Sequence, residues 1–182
     1  GTVTDTFDAT RKALLDGSKQ ADLVMTSGGV SVGDEDHVKT ALEAVGTLKL
    51  WRIRMKPGKP LAFGSIGTTP FIGLPGNPVS VFVTFLLFAR PYLQALQGRT
   101  AAEPMGFPVQ AGFSYRSKQR REYVRVKLRN DSGSVVADAF PRQGSDVLSS
   151  VSWADGLAEI TENTAIKPGD TLRYLPFSEW AR

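Results

Sequence analysis

Two lysines in the stretch MKPGKPLAFG, residues 55–64, have the type and spacing expected of an anion site. Lys56 and Lys59 lie three residues apart, and Pro57 and Pro60 follow them directly. Because proline fixes the backbone dihedral φ, the chain beneath both ammonium groups is stiffer than in an ordinary basic loop. The stretch therefore predicts two cations held in fixed positions for an anionic ligand.

Glycine-rich turns occur at three points where the sequence predicts that strands end. They are TSGGVSVGD (residues 26–34), KPGKP (56–60) and GLPGNP (73–78). Ligands of open α/β sheets bind beyond the carboxyl ends of the strands. Each turn alone has a steric explanation, because strand-to-helix turns use glycine and proline in any case. Three such turns, with two lysines between them, predict a ligand site at one edge of the sheet.

Two of these turns also offer hydrogen-bond donors. Gly28 and Gly29 let backbone N–H groups approach a ligand closely, and Ser27 and Ser31 add hydroxyl groups. Asn77 is predicted to be the N-cap of a long helix that has proline at its first position. The unpaired N–H groups of the first turn and the positive end of the helix dipole would then favour an anion.

Acidic residues follow the first turn and suggest a second kind of site. Asp34, Glu35 and Asp36 admit two interpretations. In one, they are the acidic first turn of a helix, where carboxylates complement the dipole. In the other, a carboxylate among them joins Asp5 in holding a hard divalent cation such as Mg²⁺, which bridges phosphate oxygens. The residues alone leave both interpretations open.

Composition excludes several classes of site. The 182 residues include no cysteine, which excludes disulfides and thiolate metal sites and suits a cytoplasmic location. His37 is the one histidine, so a histidine-rich zinc site is excluded, and no Walker A pattern occurs. The longest apolar run, Val79 to Ala89, is shorter than the ~20 residues that span a bilayer, so no membrane partner is expected. The chain starts without methionine or a signal peptide, which we interpret as a removed start.

Alternating helix and strand patterns predict an α/β domain over residues 1–98. The helices are predicted at Phe7–Ser18, Asp34–Val45 and Val79–Gln97, and the strands at Ala21–Thr26, Leu48–Met55 and Pro70–Leu74. This order indicates a partial three-layer α/β sandwich with an at least partly parallel sheet. Such a domain normally opens on a strand, so we expect its N-terminal part to be missing. Residues 99–108 are rich in turn formers and are predicted to be a linker.

Short strand patterns predict a second, all-β domain over residues 109–182, either a small barrel or a sandwich. The strands are predicted at Val109–Tyr115, Glu122–Arg129, Val135–Phe140, Gly156–Ile160 and Asp170–Tyr174, with the hairpin signal NDSG between the second and the third. Basic residues cluster between Arg116 and Arg129, where Glu122 is the one acid. Three interpretations of this cluster are open: solvated faces of strands, a binding site for a small polyanion, or a surface for nucleic acid.

Three motifs closely resemble those of the molybdenum insertase (molybdopterin molybdenumtransferase) family, which includes the E domain of gephyrin. They are TSGGVSVGD, MKPGKPLAFG and GLPGNPVS, in this order and spacing. The resemblance extends into the β part through REYVR, residues 121–125, and QGSDVLSS, residues 143–150. It implies a molybdopterin-binding α/β fold followed by a small barrel-like β domain. It also implies the C-terminal half of a longer protein, because relatives have two further domains and an STGDEL-type sequence upstream.

The resemblance implies an enzyme of molybdenum cofactor biosynthesis. Members of the family insert molybdate into adenylylated molybdopterin and release AMP with the assistance of Mg²⁺. Their active sites are completed across a homodimer by an upstream domain, so this chain alone is expected to bind weakly or not at all. A phosphate-rich pterin and an oxyanion both need fixed cations and hydrogen-bond donors, which agrees with the residues themselves.

The resemblance also implies a role for individual residues. Lys56 and Lys59 would lie at the molybdate and phosphate region and, together with Asp36, would be catalytic. Arg125 and Ser145 match positions associated with molybdate. The remaining substrate-binding positions are Ser27, Gly28, Gly29, Ser31, Asn77 and Arg52, which stands where some relatives have lysine, and the metal-binding positions are Asp5 and Asp36.

Three alternatives remain open at this point. A molybdopterin adenylyltransferase shares the glycine turn but lacks a β domain after it, so the strands from Val109 to Tyr174 argue against it. A molybdopterin-binding or scaffolding module without catalysis is a second alternative. A nucleic-acid binder would use the basic cluster, but only Tyr115 and Tyr123 are interleaved with it as stacking platforms, so nucleic acid is not an expected partner.

Overall fold

The computed structural model describes residues 1–30, 37–100 and 104–180, including all of their side chains except those of Leu50 and Trp51. In the first half of the chain the elements are α1 (Phe7–Ser18), β1 (Val24–Ser27), α2 (His37–Val45), β2 (Gly46–Arg52), β3 (Met55–Lys56), β4 (Pro60–Ile66), β5 (Thr69–Leu74), α3 (Pro78–Thr84), a π-helical turn (Phe85–Ala89) and α4 (Arg90–Leu96). In the second half they are β6 (Phe107–Ala111), β7 (Tyr115–Arg116), β8 (Arg121–Asp131), β9 (Ser134–Ala139), α5 (Ser149–Trp153), β10 (Gly156–Ile160), β11 (Ala165–Ile166), β12 (Thr171–Pro176) and a 3₁₀ turn (Phe177–Trp180).

Two compact units divide these elements between them. The first unit contains Gly1–Ile53 and Gly58–Phe85, and the second contains Arg54–Pro57 and Leu86–Arg182. The chain thus leaves the first unit at Arg54, just before the stretch MKPGKPLAFG, and returns to it within that stretch at Gly58. As a result, Lys56 belongs to the second unit and Lys59 to the first.

A four-stranded mixed sheet forms the centre of the first unit. Its strand order is β1-β5-β4-β2, with β1 parallel to β5 and the other two pairs antiparallel. The helices α1 and α2 contribute Leu14 and Leu42 to the core, where they join Ala62 and Phe71 of the sheet. Burial of these apolar side chains holds the helices on the sheet. The predicted α/β class is therefore confirmed.

The strand β4 is not predicted by the sequence pattern, although it is central in this sheet. It pairs with β2 on one side and with β5 on the other, and Gly67, at a φ of 58°, makes the tight turn into β5. The predicted strand Leu48–Met55 is wrong at both ends, because β2 covers Gly46–Arg52 and Met55 belongs to β3. The predicted strand Ala21–Thr26 begins only at Val24, since the residues before it do not pair with β5.

The long helix predicted at Val79–Gln97 forms as α3, a π-helical turn and α4. Pro91 gives a reason for the π turn, because proline has no N–H to donate and its ring crowds the carbonyl group four residues earlier. By length and composition, the whole segment Pro78–Leu96 is long and apolar enough to cross a bilayer. The apolar run Val79–Ala89 on which the sequence prediction rests is only part of this segment. Val79 and Val83 are fully buried, and 33% of the apolar window of this segment is buried in all.

A closed five-stranded barrel forms most of the second unit. Its strand order is β10-β12-β6-β9-β8, and pairing of β8 with β10 closes it. The short strand β3 lies parallel to the start of β8, with Lys56 opposite Glu122. Val124 and Val126 of β8 point into the barrel core. The predicted β-barrel-like part is confirmed, and the NDSG hairpin forms with Ser132 and Gly133 at positive φ.

Candidate functional site

The turns that follow β1 and β5 lie side by side at one edge of the sheet. The two strands are parallel and Ser27 is opposite Leu74, so their carboxyl ends are level. The backbone N–H of Gly28 donates to the carbonyl oxygens of Leu74, at 3.1 Å, and Pro75, at 3.2 Å. The structure therefore brings the predicted residues Ser27, Gly28 and Gly29 together with the GLPGNP turn.

Glycine is favoured at two positions where these two turns meet. Gly28 and Gly29 have φ values of 82° and 68°, in the left-handed region that favours glycine. The turns approach closely, since a Cβ atom on Gly76 would be in ordinary contact with the Cα atom of Gly28, at 3.5 Å. Gly29 and Gly76 are exposed, so backbone groups of this edge are accessible to a ligand.

The third glycine-rich turn reaches the same edge through antiparallel pairing. Pro60, the first residue of β4, is opposite Arg52, the last residue of β2. The carbonyl group of Lys59 accepts a hydrogen bond from the N–H of Ile53 at 3.0 Å. The side chains of Arg52 and Lys59 are both exposed, so two cations are available to an anion at this edge.

Asn77 is the N-cap residue of α3; its backbone is extended, and Pro78 follows it as the first residue of the helix. Its side chain does not cap the helix, and its carbonyl group accepts the N–H of Val81 at 2.9 Å. The N–H groups at the start of a helix have no partners within the helix. An anion at this point would therefore meet the N–H groups of the first helical turn.

A pocket of about 930 Å³ opens beside β1 in the first unit. Residues 1–5, the α1 residues Thr10 and Leu14, and Val24–Gly29 contribute to its walls. Thr26 is one of these, and its Oγ1 atom is buried without a hydrogen-bond partner among the described residues. Because buried polar atoms are normally satisfied, this hydroxyl group favours a polar ligand in the pocket.

The predicted metal-binding residues are only partly described. Asp5 lines the pocket and is exposed. Asp36 and Ser31 lie outside the described residues, as do Asp34 and Glu35. Within residues 1–30, 37–100 and 104–180, no group of three or more His, Cys, Asp or Glu side chains could hold a metal ion.

Arg125 is a buried cation on β8 of the second unit. Its residue exposure is 1%. The guanidinium group donates from Nε to Oγ of Ser150 and from Nη2 to the carbonyl oxygen of Gly144, both at 3.0 Å. Burial lowers the pKa of Arg125 to about 10, and no carboxylate of the described residues offsets it. A buried guanidinium group with only neutral partners is favourable for an anionic ligand.

The loop of residues 143–150 surrounds this guanidinium group. The side chain of Gln143 holds the Arg125 backbone from both directions, since Oε1 accepts its N–H and Nε2 donates to its carbonyl group, each at 3.0 Å. Ser150 is buried and its hydroxyl group donates to the carbonyl oxygen of Val147 at 2.6 Å. Ser145 is half-buried and follows the residue whose carbonyl group binds Arg125. Ser145 is therefore the chain neighbour of a residue that binds the Arg125 guanidinium group.

Lys56 contacts a buried acid in the same unit. Its Nζ atom lies 2.9 Å from Oε2 of Glu122 and 3.3 Å from the hydroxyl oxygen of Tyr115. Tyr115 donates to the same carboxylate oxygen at 2.5 Å, and the N–H of Lys118 donates to the other one at 3.4 Å. The Lys56 side chain is 41% exposed, whereas that of Glu122 is 5% exposed. The ammonium group thus lies near the surface above a buried carboxylate.

These contacts change the pKa of all three side chains. Burial lowers the pKa of Lys56, but its hydrogen bonds to Glu122 and Tyr115 outweigh burial, and the pKa lies above its usual value. Burial raises the pKa of Glu122, but hydrogen bonds from Tyr115 and Lys56 leave it below its usual value. Burial, followed by the hydrogen bond to Glu122, raises the pKa of Tyr115. At neutral pH, Lys56 and Glu122 are therefore charged and Tyr115 is neutral.

Sequence reasoning does not single out Glu122, Tyr115, Gln143 or Ser150 as site residues. Glu122 had a visible signal, because it is the one acid within the basic cluster Arg116–Arg129. Gln143 and Ser150 lie within the motif QGSDVLSS, but their roles, like that of Tyr115, are recognised from their contacts.

Two other arginines of the basic cluster are paired with carboxylates within the barrel. Arg121 lies 3.0 Å from Glu159, and Arg129 lies 2.7 Å from Asp138. The Nζ atom of Lys127 lies 6.0 Å from the centre of the Trp153 ring. Since such contacts partly neutralise the cluster, they argue against a nucleic-acid surface.

Two protein-family models match the chain. One is described as a probable molybdopterin binding domain and matches residues 1–95. The other is described as the MoeA C-terminal region (domain IV) and matches residues 108–177. Between them they cover the helices and strands of the α/β part and the barrel.

Similar proteins agree with these matches. A molybdopterin molybdenumtransferase of Haemophilus influenzae is 36% identical over 171 residues, which cover 92% of this chain and 42% of that protein. The molybdenum cofactor synthesis protein cinnamon of Drosophila melanogaster is 37% identical over 171 residues, which cover 91% of this chain and 28% of that protein. The crystal structure of a molybdopterin biosynthesis moea protein from Pyrococcus horikosii matches with a TM-score of 0.80 and 28% identity, over 97% of this chain and 42% of that one. The chain thus spans less than half the length of these relatives.

Proposed function

Since the chain belongs to the molybdopterin molybdenumtransferase family, we propose that it forms the substrate-binding C-terminal part of such an enzyme. In the proposed reaction, molybdate is inserted into the dithiolene of adenylylated molybdopterin and AMP is released. The first unit would bind the pterin and its phosphates, and the second would bind molybdate. The whole activity is proposed for the longer protein, because this chain covers 42% of the Haemophilus influenzae relative.

Arg125 is the observation that carries this proposal. It is a buried cation whose described partners are a carbonyl group and a hydroxyl group. A doubly charged tetrahedral oxyanion such as molybdate supplies the missing negative charge. Ser145, from the loop around Arg125, would add a donor, and Lys56 would add a second cation in the same unit. Charge-assisted hydrogen bonds of this kind are stronger than neutral ones.

Electrostatic stabilisation is the main catalytic contribution that we propose for these residues. Molybdate, the dithiolene and the phosphates are all anions, so they repel each other as they approach. Lys56, Lys59 and Arg125 would neutralise part of this charge and lower the barrier. Fixed positions matter as well, because reacting groups held in place avoid much of the entropic cost of meeting.

The edge of the first unit's sheet is proposed to bind the pterin phosphates. The glycine turns expose backbone N–H groups there, and the exposed cations Arg52 and Lys59 lie at the same edge. Thr26 in the neighbouring pocket offers an unsatisfied hydroxyl group. Further contacts are proposed from Ser27, Gly28, Gly29, Ser31 and Asn77.

We also propose that Mg²⁺ is required, with Asp5 and Asp36 as its protein ligands. Asp5 fits this role, because it lines the pocket beside the hydroxyl-bearing residues Thr2 and Thr4 and Mg²⁺ prefers oxygen ligands. When bound, Mg²⁺ would neutralise phosphate charge and polarise the phosphoanhydride. The Asp5 carboxylate would hold the ion, and the turn at Ser27 would hold the phosphate through its N–H groups.

The assembly and location of the longer protein are further parts of the proposal. We propose a cytoplasmic homodimer whose functional domains in this chain are residues 1–98 and 109–182, joined by residues 99–108. The cysteine-free composition suits the cytoplasm. Light scattering of the full-length protein would test the dimer.

Oxyanion binding by the full-length protein, which contains this chain, tests the proposed function. We expect calorimetry with molybdate and tungstate to show that Arg125→Ala weakens binding about tenfold or more, which corresponds to about 1.4 kcal/mol. Arg125→Lys, which keeps the charge but loses the planar fork, should weaken it less. Arg173→Ala is the matched control, because Arg173 is an exposed barrel arginine paired with Glu159. Undiminished binding by folded Arg125 variants would contradict the assignment.

A further inference from the structure

Glu122 occupies a position on β8 where the barrel otherwise places apolar side chains. Val124 and Val126 follow it on the same face of the strand, and both are buried in the barrel core. Because side chains alternate along a strand, Glu122 also points inward. A carboxylate in such a position is unfavourable unless it is paired and hydrogen-bonded.

Three donors from different parts of the unit converge on this carboxylate. The ammonium group of Lys56, at 2.9 Å, and the hydroxyl group of Tyr115, at 2.5 Å, both reach Oε2. The N–H of Lys118 reaches Oε1 at 3.4 Å. The register of β3 and β8 places Lys56 directly opposite Glu122, so backbone pairing supports the ion pair. Glu122 is therefore satisfied, and Lys56 is held by both backbone and side chain.

The Lys56 ammonium group still has capacity for a ligand. It carries three N–H donors, of which Glu122 and Tyr115 use two among the described residues. The side chain is 41% exposed, so a solute can reach it. Glu122 lies beneath the ammonium group and is nearly inaccessible to solvent, so it repels an anion less than the ammonium group attracts it.

We propose that Glu122 and Tyr115 are positioning residues, which fix the Lys56 ammonium group and keep it protonated for an oxyanion ligand. This inference rests on the proposed function, in which Lys56 binds molybdate. A free lysine loses side-chain entropy when it binds an anion. A lysine that is already fixed loses less, so its contribution to affinity is larger.

The proton on Lys56 depends on the groups around it. Of the described side chains, Glu122 and Tyr115 contact Nζ, while Arg120 donates to the carbonyl group of Met55 at 3.4 Å and Arg121 pairs with Glu159. Burial lowers the pKa of Lys56, and the two contacts raise it above its usual value. Removal of the Glu122 charge leaves burial, which lowers the pKa of Lys56, opposed by the contacts with Tyr115. The ammonium group should then lose its proton at lower pH.

Lysine labelling tests, without any ligand, whether Glu122 and Tyr115 keep Lys56 protonated. Acetic anhydride reacts with the neutral amine, so labelling of Lys56 against pH, read by peptide mass spectrometry, follows its pKa, with Lys59 as the internal reference. In Glu122→Gln the labelling curve of Lys56 should move to lower pH, and in Tyr115→Phe it should move less. The control is Glu159→Gln, which removes another nearly buried carboxylate of the barrel and should leave the curve in place.

Molybdate calorimetry on the same variants tests whether this positioning of Lys56 strengthens oxyanion binding. At neutral pH, Glu122→Gln should bind molybdate several-fold more weakly than wild type does. As the pH is raised, the variant should lose its binding at a lower pH than wild type does. Glu122→Asp keeps the charge with a shorter reach and should restore the pH profile more fully than the affinity.

Two results would overturn the inference in distinguishable ways. If wild type and Glu122→Gln bind molybdate equally and label equally, Glu122 has no positioning role and the proposed function stands. If wild type binds no oxyanion at all, the proposed function fails and the inference fails with it.

Discussion

At the scale of single residues, two buried charged side chains three positions apart on β8 have different kinds of partner. Glu122 points into the barrel and has a cationic partner in Lys56. Arg125 points away from the barrel core, and its guanidinium group donates to two neutral groups, the Ser150 hydroxyl and the Gly144 carbonyl. The ion pair with Lys56 compensates the charge of Glu122 within the protein, whereas the neutral partners of Arg125 leave most of its charge uncompensated. The charge of Glu122 is therefore structural, and the charge of Arg125 is suited to an anionic ligand.

The Lys56–Glu122 pair predicts a change of sign in a double-mutant cycle. Lys56→Met should lower the free energy of unfolding by about 1–3 kcal/mol, between the values for exposed and buried pairs, because Glu122 remains buried without its cation. In wild type, Glu122→Gln should also destabilise the protein. In the Lys56→Met background the same substitution should stabilise it. Urea unfolding of the four proteins measures both effects, and equal effects of Glu122→Gln in both backgrounds would argue against the pair.

Glu122 also predicts a pH dependence of stability. Its pKa in the folded protein lies below the usual value of 4.5, so its stabilising effect is present above that pH. The effect is lost as the pH falls through the folded pKa. The stability advantage of wild type over Glu122→Gln should therefore shrink below about pH 4.5. Melting temperatures between about pH 3 and 7 measure it, and a constant difference across this range would show that Glu122 does not titrate as described.

At this scale the sequence predicts which residue types are important but not their surroundings. Lys56 and Arg125 are identifiable from their motifs, yet their burial and partners are not. Lys56 and Glu122 are 66 positions apart, and the register of β3 on β8 that joins them depends on the closed barrel. The sequence also suggests that Lys56 and Lys59 act as one pair, whereas they belong to different units.

At the scale of elements, local signals predict well and long-range pairing does not. The helix α1 agrees with its predicted bounds, and the NDSG hairpin forms as expected, because both depend on neighbouring residues. The strand β4 and the two-residue strand β3 are missed, because each is stabilised by partners that no local pattern reveals. These missed strands carry Lys56 and the residues after Lys59. The elements that are hardest to predict therefore determine much of the candidate site.

Gly73 in β5 gives a prediction at the scale of elements. A Cβ atom there would lie 2.6 Å from Cγ1 of Val30 and 3.0 Å from Cβ of Ala62, so Gly73→Ala should destabilise the protein by about 1–3 kcal/mol through overpacking. Gly17→Ala is the matched control. Its Cβ atom would have ordinary contact with Val24 at 3.4 Å, and alanine favours the helix α1 by up to about 1 kcal/mol. Thermal unfolding should separate the two variants in opposite directions, and similar melting temperatures would show that the core around Gly73 adapts.

At the scale of the whole molecule, each unit has its own hydrophobic core and its own proposed ligand. The first core contains Leu14, Leu42 and Phe71, and the second contains Val126 and Tyr174. The proposed phosphate-binding edge belongs to the first unit and the proposed oxyanion site to the second. The chain connects them within MKPGKPLAFG, so the most distinctive motif of the sequence is also a connection between the units.

Separate cores predict that substitutions in the two units have additive effects on stability. Gly73→Ala overpacks the first core, and Val126→Ala leaves a cavity in the second, because Val126 is fully buried in the barrel. Sites without shared partners usually add to within about 0.5 kcal/mol. The double variant should therefore lose the sum of the two single losses in urea unfolding. A coupling of more than about 1 kcal/mol would show that the two cores act as one, because only residues that share partners or a deformable backbone couple so strongly.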